Sequence, residues 1–419
     1  MTESFTDWLR ANAVALTHLD VDAPLDDLEP LREIIGDARV VALGENSHFI
    51  DEFAAMRERV LRFLAERCGF TVLAFEYGFS EGFPLDAWAR GEGTDDGLAD
   101  HVGDAIPIGL DGPLHWIRRH NRTAARPVRF AGIDIPAAGG SLLPALTPVA
   151  GYLREVDPAA LPMAESAIAI AATFAGGSGA VAAPAWERLP AAEQDALSAN
   201  LMRLLVRFGA VEALYVERSD QRTYDIARRR VEAACAADYT FRAMAGLFAG
   251  KGLTADTSAR DVYMAESVLW HLERSEPGTR VVLPAHNAHI QTEPISFGGV
   301  LTGFPMGQHL RRILGEDYFA LGLTSTGGST GEMRLDANAR FGFVVEDTPL
   351  APPEPGSIEA AWGEPGFAVA DLRRARRETS AGHPDRLRMH SGYLETPVLT
   401  SFDGMLNTGT STVAEGANG

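Results

Sequence analysis

Positive charge is scarce in this chain. Lys251 is the sole lysine of 419 residues, and 37 Lys and Arg face 57 Asp and Glu for a formal charge of -20. Nucleic-acid binders normally present a basic face, so a nucleic-acid partner is excluded as a first reading, and a neutral or cationic small molecule fits better. Cysteine is scarcer still: Cys68 and Cys235 lie far apart in sequence, which excludes a disulfide framework, and both are expected as buried free thiols. Nowhere do about 18 uninterrupted apolar residues occur, so no transmembrane helix is expected. The opening segment, MTESFTDWLR, carries Asp7 where a secretory signal needs a continuous apolar stretch, so a cytoplasmic location is expected. The absence of a Rossmann glycine fingerprint and of a P-loop removes dinucleotides and nucleoside triphosphates as first choices.

What is present is alternation. Short apolar runs followed by helical patterns signal βα units around a mostly parallel central sheet flanked by helices, an α/β fold. Strands are expected at Arg39–Leu43, Thr71–Phe75, Val128–Ile133, Arg280–Pro284, Tyr318–Leu323 and Phe402–Leu406. Between the first two, Glu52–Arg67 has helical periodicity, with Phe53, Met56, Val60, Phe63 and Leu64 on one face and Arg57, Arg59, Arg62 and Glu66 elsewhere. Residues 142–250 differ: stretches such as Leu197–Phe208 and Ser219–Leu247 are Ala- and Arg-rich and helical, with Gly176–Gly179 as a flexible break. The expected organisation is therefore a first part of the α/β core over 1–141, an inserted helical lobe roofing the cleft over 142–250, the second part of the core over 251–408, and a disordered tail over 409–419. Residues Leu350–Gly356 are expected as a loop.

In an open α/β sheet, ligands sit beyond the carboxyl ends of parallel strands, where loops converge. Four expected strand ends each release an ionisable group there: Glu45 and His48 in Gly44–His48, Glu76, Asp134, and His286 with His289. Taken singly, each has a plain structural explanation. Asp134 fits a helix cap or scaffold as well as it fits function, and His48 could merely cap the following helix. Together they suit general acid/base work, because histidine titrates near neutrality and a carboxylate fixes its tautomer.

Two other chemistries are weighed against this. Glu45, His48, Glu76 and His286 could ligate a metal, but Glu-x-x-His is not the His-Glu-x-x-His helix motif, so no metal or other cofactor is expected. Gly327–Gly331 matches G-x-S-x-G around Ser329, yet Glu332–Asn338 is a poor start for the helix that a nucleophile elbow requires, so Ser329 reads as a loop residue. Ser47, beside His48, is the one remaining candidate nucleophile.

Several segments make the chain recognisable. Val41–Phe49 (VALGENSHF) with Glu52, Phe53 and Arg57, then Phe75–Gly78 (FEYG), Phe130–Pro136 (FAGIDIP), Asp256–Ala265, Ala285–His289 (AHNAH), Pro294–Phe297 and Pro305–His309 resemble the erythromycin esterase family, in order and at family-like spacing over about residues 38 to 335. The resemblance implies His48 as general base toward water, Glu45 and Glu76 as its acidic partners, and Arg57 and His286 as substrate-positioning or oxyanion-stabilising groups. It gives Arg260, Asp134 and His289 supporting roles, places Asn46 and Ser47 where substrate choice could vary, and requires no metal. The implied activity is hydrolysis of a macrolactone or other bulky ester. The alternative is a biosynthetic relative driving cyclisation, transesterification or elimination. A non-catalytic binder is a third class, disfavoured because it has no need of so complete an acid/base set.

Overall fold

The run Val-Val-Ala-Leu at 40–43 is apolar on both faces and half β-branched, a pattern suited to a strand covered by helices on two sides. In the computed structural model, which describes residues 4–102, 109–251, 253–297, 300–363 and 366–417, it lies at the centre of an eight-stranded sheet. The strands are β1 (Val14–Ala15), β2 (Val40–Leu43), β3 (Val72–Gly78), β4 (Arg129–Asp134), β5 (Val281–Pro284), β6 (Tyr318–Thr324), β7 (Ala368–Asp371) and β8 (Gly404–Asn407). Their order is β1-β7-β8-β6-β2-β5-β3-β4. From β8 to β4 every pairing is parallel; β7 runs antiparallel to β8, and β1 antiparallel to β7.

Alternation along β2 feeds two cores. Val41 and Leu43 join Phe53, Met56 and Val60, whereas Val40 and Ala42 join Val268 and Leu310. The first set brings in α1 (Asp51–Cys68), which covers one face of the sheet. The helical lobe follows, with α2 (Leu143–Val156), α3 (Leu161–Ala172), α4 (Ala191–Ala210) and α5 (Gln221–Phe248). Its interfaces are built on fully buried alanines, among them Ala145, Ala164, Ala167, Ala171 and Ala234, and the small side chains permit close helix approach without polar groups. The long α6 (Ala259–Glu273) returns the chain to the sheet and packs against β4.

The α/β architecture with an inserted helical lobe matches the sequence pattern, and several local expectations are corrected. Glu76 lies within β3, not after it: the register with β4 shifts between Phe75 and Gly78, and this irregularity re-aims the end of the strand. Likewise Asp134 is the last residue of β4. Ser329 sits in a strand, Gly327–Leu335, paired antiparallel with Phe343–Pro349, so it is neither loop nor elbow. Gly176–Gly179 is held rather than free, since Gly176 N–H donates to Gly140 C=O at 2.7 Å and Ser178 Oγ to Phe341 C=O at 2.5 Å. The expected disordered tail is ordered over its first residues: Thr410–Ser411 pairs with Gly327–Gly328, and Ala414 N–H donates to Phe49 C=O at 2.8 Å. Its last two residues, 418 and 419, lie outside the described residues. Both cysteines are free but only partly buried. Among the described residues no helix is long and apolar enough to cross a membrane.

Candidate active site

The site begins where β2 stops. Gly44 allows the chain to pass against the loop after β5, because a Cβ there would fall 1.8 Å from Asn287 Oδ1. Asn287 ties that crossing together: its N–H donates to Glu45 C=O at 2.8 Å and its Nδ2 to Leu323 C=O at 2.8 Å. Two residues on, Asn46 and Ser47 turn inward. Asn46 Nδ2 donates to Thr324 Oγ1 at 3.0 Å, and Ser47 is fully buried. Neither lines the cavity described below, so any bearing they have on substrate choice acts through the residues they hold. His48 is followed by Phe49 at φ 62°, a left-handed conformation that costs a bulky residue energy and recurs at functional sites.

Glu45 joins His48 to Arg57. Its Oε1 lies 2.7 Å from His48 Nδ1, and its Oε2 lies 2.5 Å from Arg57 on α1. Burial alone raises this carboxyl, but the charges of Arg57 and His48 overcome it and hold the group down to about 2. The same contacts act in reverse on His48, where burial opposes the charged form but Glu45 and then Glu76 push its pKa upward. With Nδ1 bound to a carboxylate, the proton of the neutral ring sits on Nδ1 and Nε2 carries the lone pair.

Glu76 organises the opposite wall. It accepts from the backbone N–H of His286 at 3.0 Å and from Arg260 at 3.0 Å, with His289 Nε2 3.5 Å away. Arg260, on α6, also grips Asp134 with two bonds of 2.9 and 2.6 Å. Despite burial, the charges of His289 and Arg260 hold Glu76 far below the usual carboxylate range. His289 is bonded through Nδ1 to Asp261 at 2.7 Å. Burial disfavours its charge, yet Asp261 and Glu76 raise it to about 9.

His286 is the exception in this charged company. Its Nδ1 accepts from Ala288 N–H at 3.1 Å, and its buried Nε2 has no partner. Burial, then His48 and His390, lower it to about 3, so the ring is neutral and its proton is on Nε2. A cavity of about 580 Å³ collects these groups, lined by Glu45, His48, Arg57, Glu76, Arg260, His286 and His289 together with apolar Phe75, Met333, Phe343 and Met389. Pro144, Gly176 and Gly177 bring the helical lobe to its wall. Such a volume suits a small molecule with a large apolar surface. Among the described residues no group of three or more His, Cys, Asp or Glu is arranged to hold a metal ion; the carboxylates here are engaged by Arg and His instead.

The family model for erythromycin esterase matches residues 65–410. The chain belongs to the erythromycin esterase family. This esterase is 37% identical to erythromycin esterase type II of Escherichia coli over 98% of its own length and 99% of that relative's. It is 29% identical to erythromycin esterase type I of Escherichia coli, covering 91% and 93% of the two chains. Among solved structures it is similar to an erythromycin esterase mutant, EreC, in its open conformation, with a TM-score of 0.87, 27% identity, and 96% and 98% of the two chains covered.

All eight residues singled out from the sequence meet around one centre in this esterase. Asp134 differs in detail, being fully buried behind Arg260 and not on the cavity wall. Several neighbours escaped sequence reasoning, among them Glu81 and Tyr77 on the cavity wall, and two of them bear on the histidines. Asp261 stands beside Arg260 in the recognisable segment, and its partner His289 was the available signal. His390, which lines the cavity, comes from the turn between the strands Arg386–Met389 and Gly392–Glu395, where nothing local marks it.

Proposed function

We propose that this esterase opens the lactone of a macrolide, or a similarly bulky ester, by direct attack of water. His48 Nε2 takes a proton from water, and the hydroxyl oxygen adds to the carbonyl carbon while the carbonyl electron pair moves onto oxygen. Collapse breaks the bond between carbon and the alkoxy oxygen, which takes the proton back from the His48 imidazolium. The products are a carboxylic acid and an alcohol, so water is added and nothing else is consumed. Glu45 fixes the His48 tautomer and favours the imidazolium; Glu76 fixes the backbone that carries His286.

The single observation that carries the reading is the unpartnered Nε2 of His286. A neutral ring with Nδ1 occupied leaves its Nε2–H free to donate, and His286 lines the cavity, which suits an oxyanion. Arg57 fits that task less well, because its guanidinium is committed to Glu45 and lies 5.3 Å over the Phe75 ring. Its part is to hold the base assembly. The macrolide reading is supported by the two Escherichia coli relatives, both erythromycin esterases, and by the apolar lining of the cavity. Incubation with a panel of fourteen-membered macrolides, followed by mass spectrometry, should show a gain of one water and loss of the lactone. Macrolides that bind but never gain mass would make the protein a sequestering one and refute hydrolysis.

A further inference from the structure

His390 is a cleft residue that neither the water-attack scheme nor the sequence uses, yet the structure holds it by several contacts. The strands Arg386–Met389 and Gly392–Glu395 pair so that Met389 faces Gly392, which leaves His390 and Ser391 as the two residues of the turn. At this position φ is 54°, a conformation for which glycine is the default. Among the described residues only Phe49 and Ala137 share it outside the glycines. Phe49 directly follows the candidate base. The backbone N–H of His390 donates to Asn46 C=O at 2.9 Å, and its Nδ1 lies 3.1 Å from Ser47 Oγ. The hairpin is thus tied twice to the loop that carries Glu45 and His48.

The ring then lies against His286. Centroids are 5.7 Å apart with planes inclined by 23°, while His48 approaches His286 edge-on at 5.4 Å and 64°. His286 is sandwiched between the two imidazoles with its Nε2 unpaired. We propose that His390 is a positioning residue: its ring face covers His286, excludes water from one side, and keeps that imidazole neutral with Nε2–H directed at the reacting carbonyl. Its effect on turnover rests on the oxyanion role given to His286 above; the ring packing does not. Around His286 stand His48 and Glu45 from the loop after β2, Glu76 from β3, His289 from its own short helix and His390 from the hairpin. Glu332, from the strand Gly327–Leu335, accepts from Ser391 N–H at 2.6 Å and so stands behind His390. With negative groups on several sides, the covering ring is what denies His286 the solvent that would stabilise its charged form.

Two variants of the full chain test this. His390→Gly suits the left-handed turn and removes both ring and tether; His390→Asn also tolerates the turn and can restore the bond to Ser47, but offers no ring face. Histidine-labelled protein is titrated by NMR across roughly pH 5 to 9, following the His286 ring. In the wild type His286 should keep the neutral Nε2–H signature throughout. In both variants it should titrate nearer the ordinary histidine range, around 6.5, while the fold signals and thermal midpoint of His390→Gly are maintained or improved. With a macrolactone as substrate, kcat should fall about tenfold at pH 6 with KM nearly unchanged, and part of the loss should return at pH 8. A His286 titration in His390→Gly that superimposes on the wild type overturns the proposal, as does full recovery in His390→Asn, which would assign the effect to the Ser47 tether. If the wild type opens no macrolactone, the function proposed above fails, and the titration still decides whether His390 controls His286.

Discussion

The two walls of the cleft use the same residue types to opposite ends. On the wall formed by β3, β4, α6 and the short helix Asn287–Ile290, Glu76, Asp134, Arg260, Asp261 and His289 form a closed ion network in which each charge has a partner within 3.5 Å. On the other wall, His48 is bound on one nitrogen only, and His286 leaves a buried nitrogen without a partner. The two histidines three residues apart, His286 and His289, are pushed to about 3 and about 9. Burial acts on both in the same direction; the carboxylates facing His289 decide the difference. A saturated network gives rigidity, and an unsatisfied donor or base gives reactivity.

The sharpest way to break this comparison is on the reactive wall. His48→Asn should lower turnover by about two to four orders of magnitude with the fold intact, the usual worth of a positioned base. Steady-state kinetics and circular dichroism check it; retention of more than a tenth of wild-type turnover removes His48 from the role. On the saturated wall the expected loss is of stability. Arg260→Met strands Glu76 and the fully buried Asp134, and breaking such a pair costs about 3–5 kcal/mol. Urea unfolding measures this, and a change under about 1 kcal/mol would mean the network is not what holds β3, β4 and α6 together.

Acid and base should separate the walls as well. His286, depressed to about 3 from its ordinary 6.5, binds no proton in the folded state where the unfolded chain binds one, so stability is lost as pH falls from 6.5 toward 3. His289, raised to about 9, keeps its proton longer when folded, so its contribution is complete below 6.5 and is lost as pH rises through 9. The thermal midpoint should therefore peak near pH 6.5. His289→Gln should flatten the alkaline side alone, and a variant that flattens both sides would show that the walls are not independent. The smallest effects are expected for Ser47→Ala and for chelation. Ser47 is buried, and its Oγ meets His390 Nδ1 at 3.1 Å and the His48 backbone carbonyl at 3.2 Å, not the His48 ring, so the variant should keep most of its activity, with no acyl adduct in intact-protein mass spectra. Dialysis against a chelator should leave turnover unchanged; loss restored by one divalent ion would require a metal mechanism instead.

Much of the cleft was legible because it is local in the chain. Glu45 and His48 sit in one pentapeptide after an unmistakable strand, and Glu76 and Asp134 each close an apolar run, so their common placement follows from the geometry of a parallel sheet. The strand limits at Glu76 were less legible, because the register shift that re-aims it arises from pairing with β4, whose residues lie more than fifty positions later. Tail residues such as Thr410 and Ser411 look like surface chain in isolation and gain order only from strand partners at Gly327 and Gly328. His390 had no local signal, since a histidine in a polar turn is ordinary until the turn is docked beside Ser47 and His286.

By itself the sequence determined the α/β class, the helical insertion and the strand-end group of Glu45, His48, Glu76, Asp134, His286 and His289, because periodicity and strand-end position are properties of neighbouring residues; the resemblance to a family added Arg57 and Arg260. Only the tertiary structure decided which histidine is neutral and which is charged. That distinction comes from burial and from carboxylates on other strands and helices: Asp261 on α6 and Glu76 on β3 charge His289, while His48 and the docked hairpin leave His286 neutral. Proton affinity depends on distances in space that no spacing along the chain encodes.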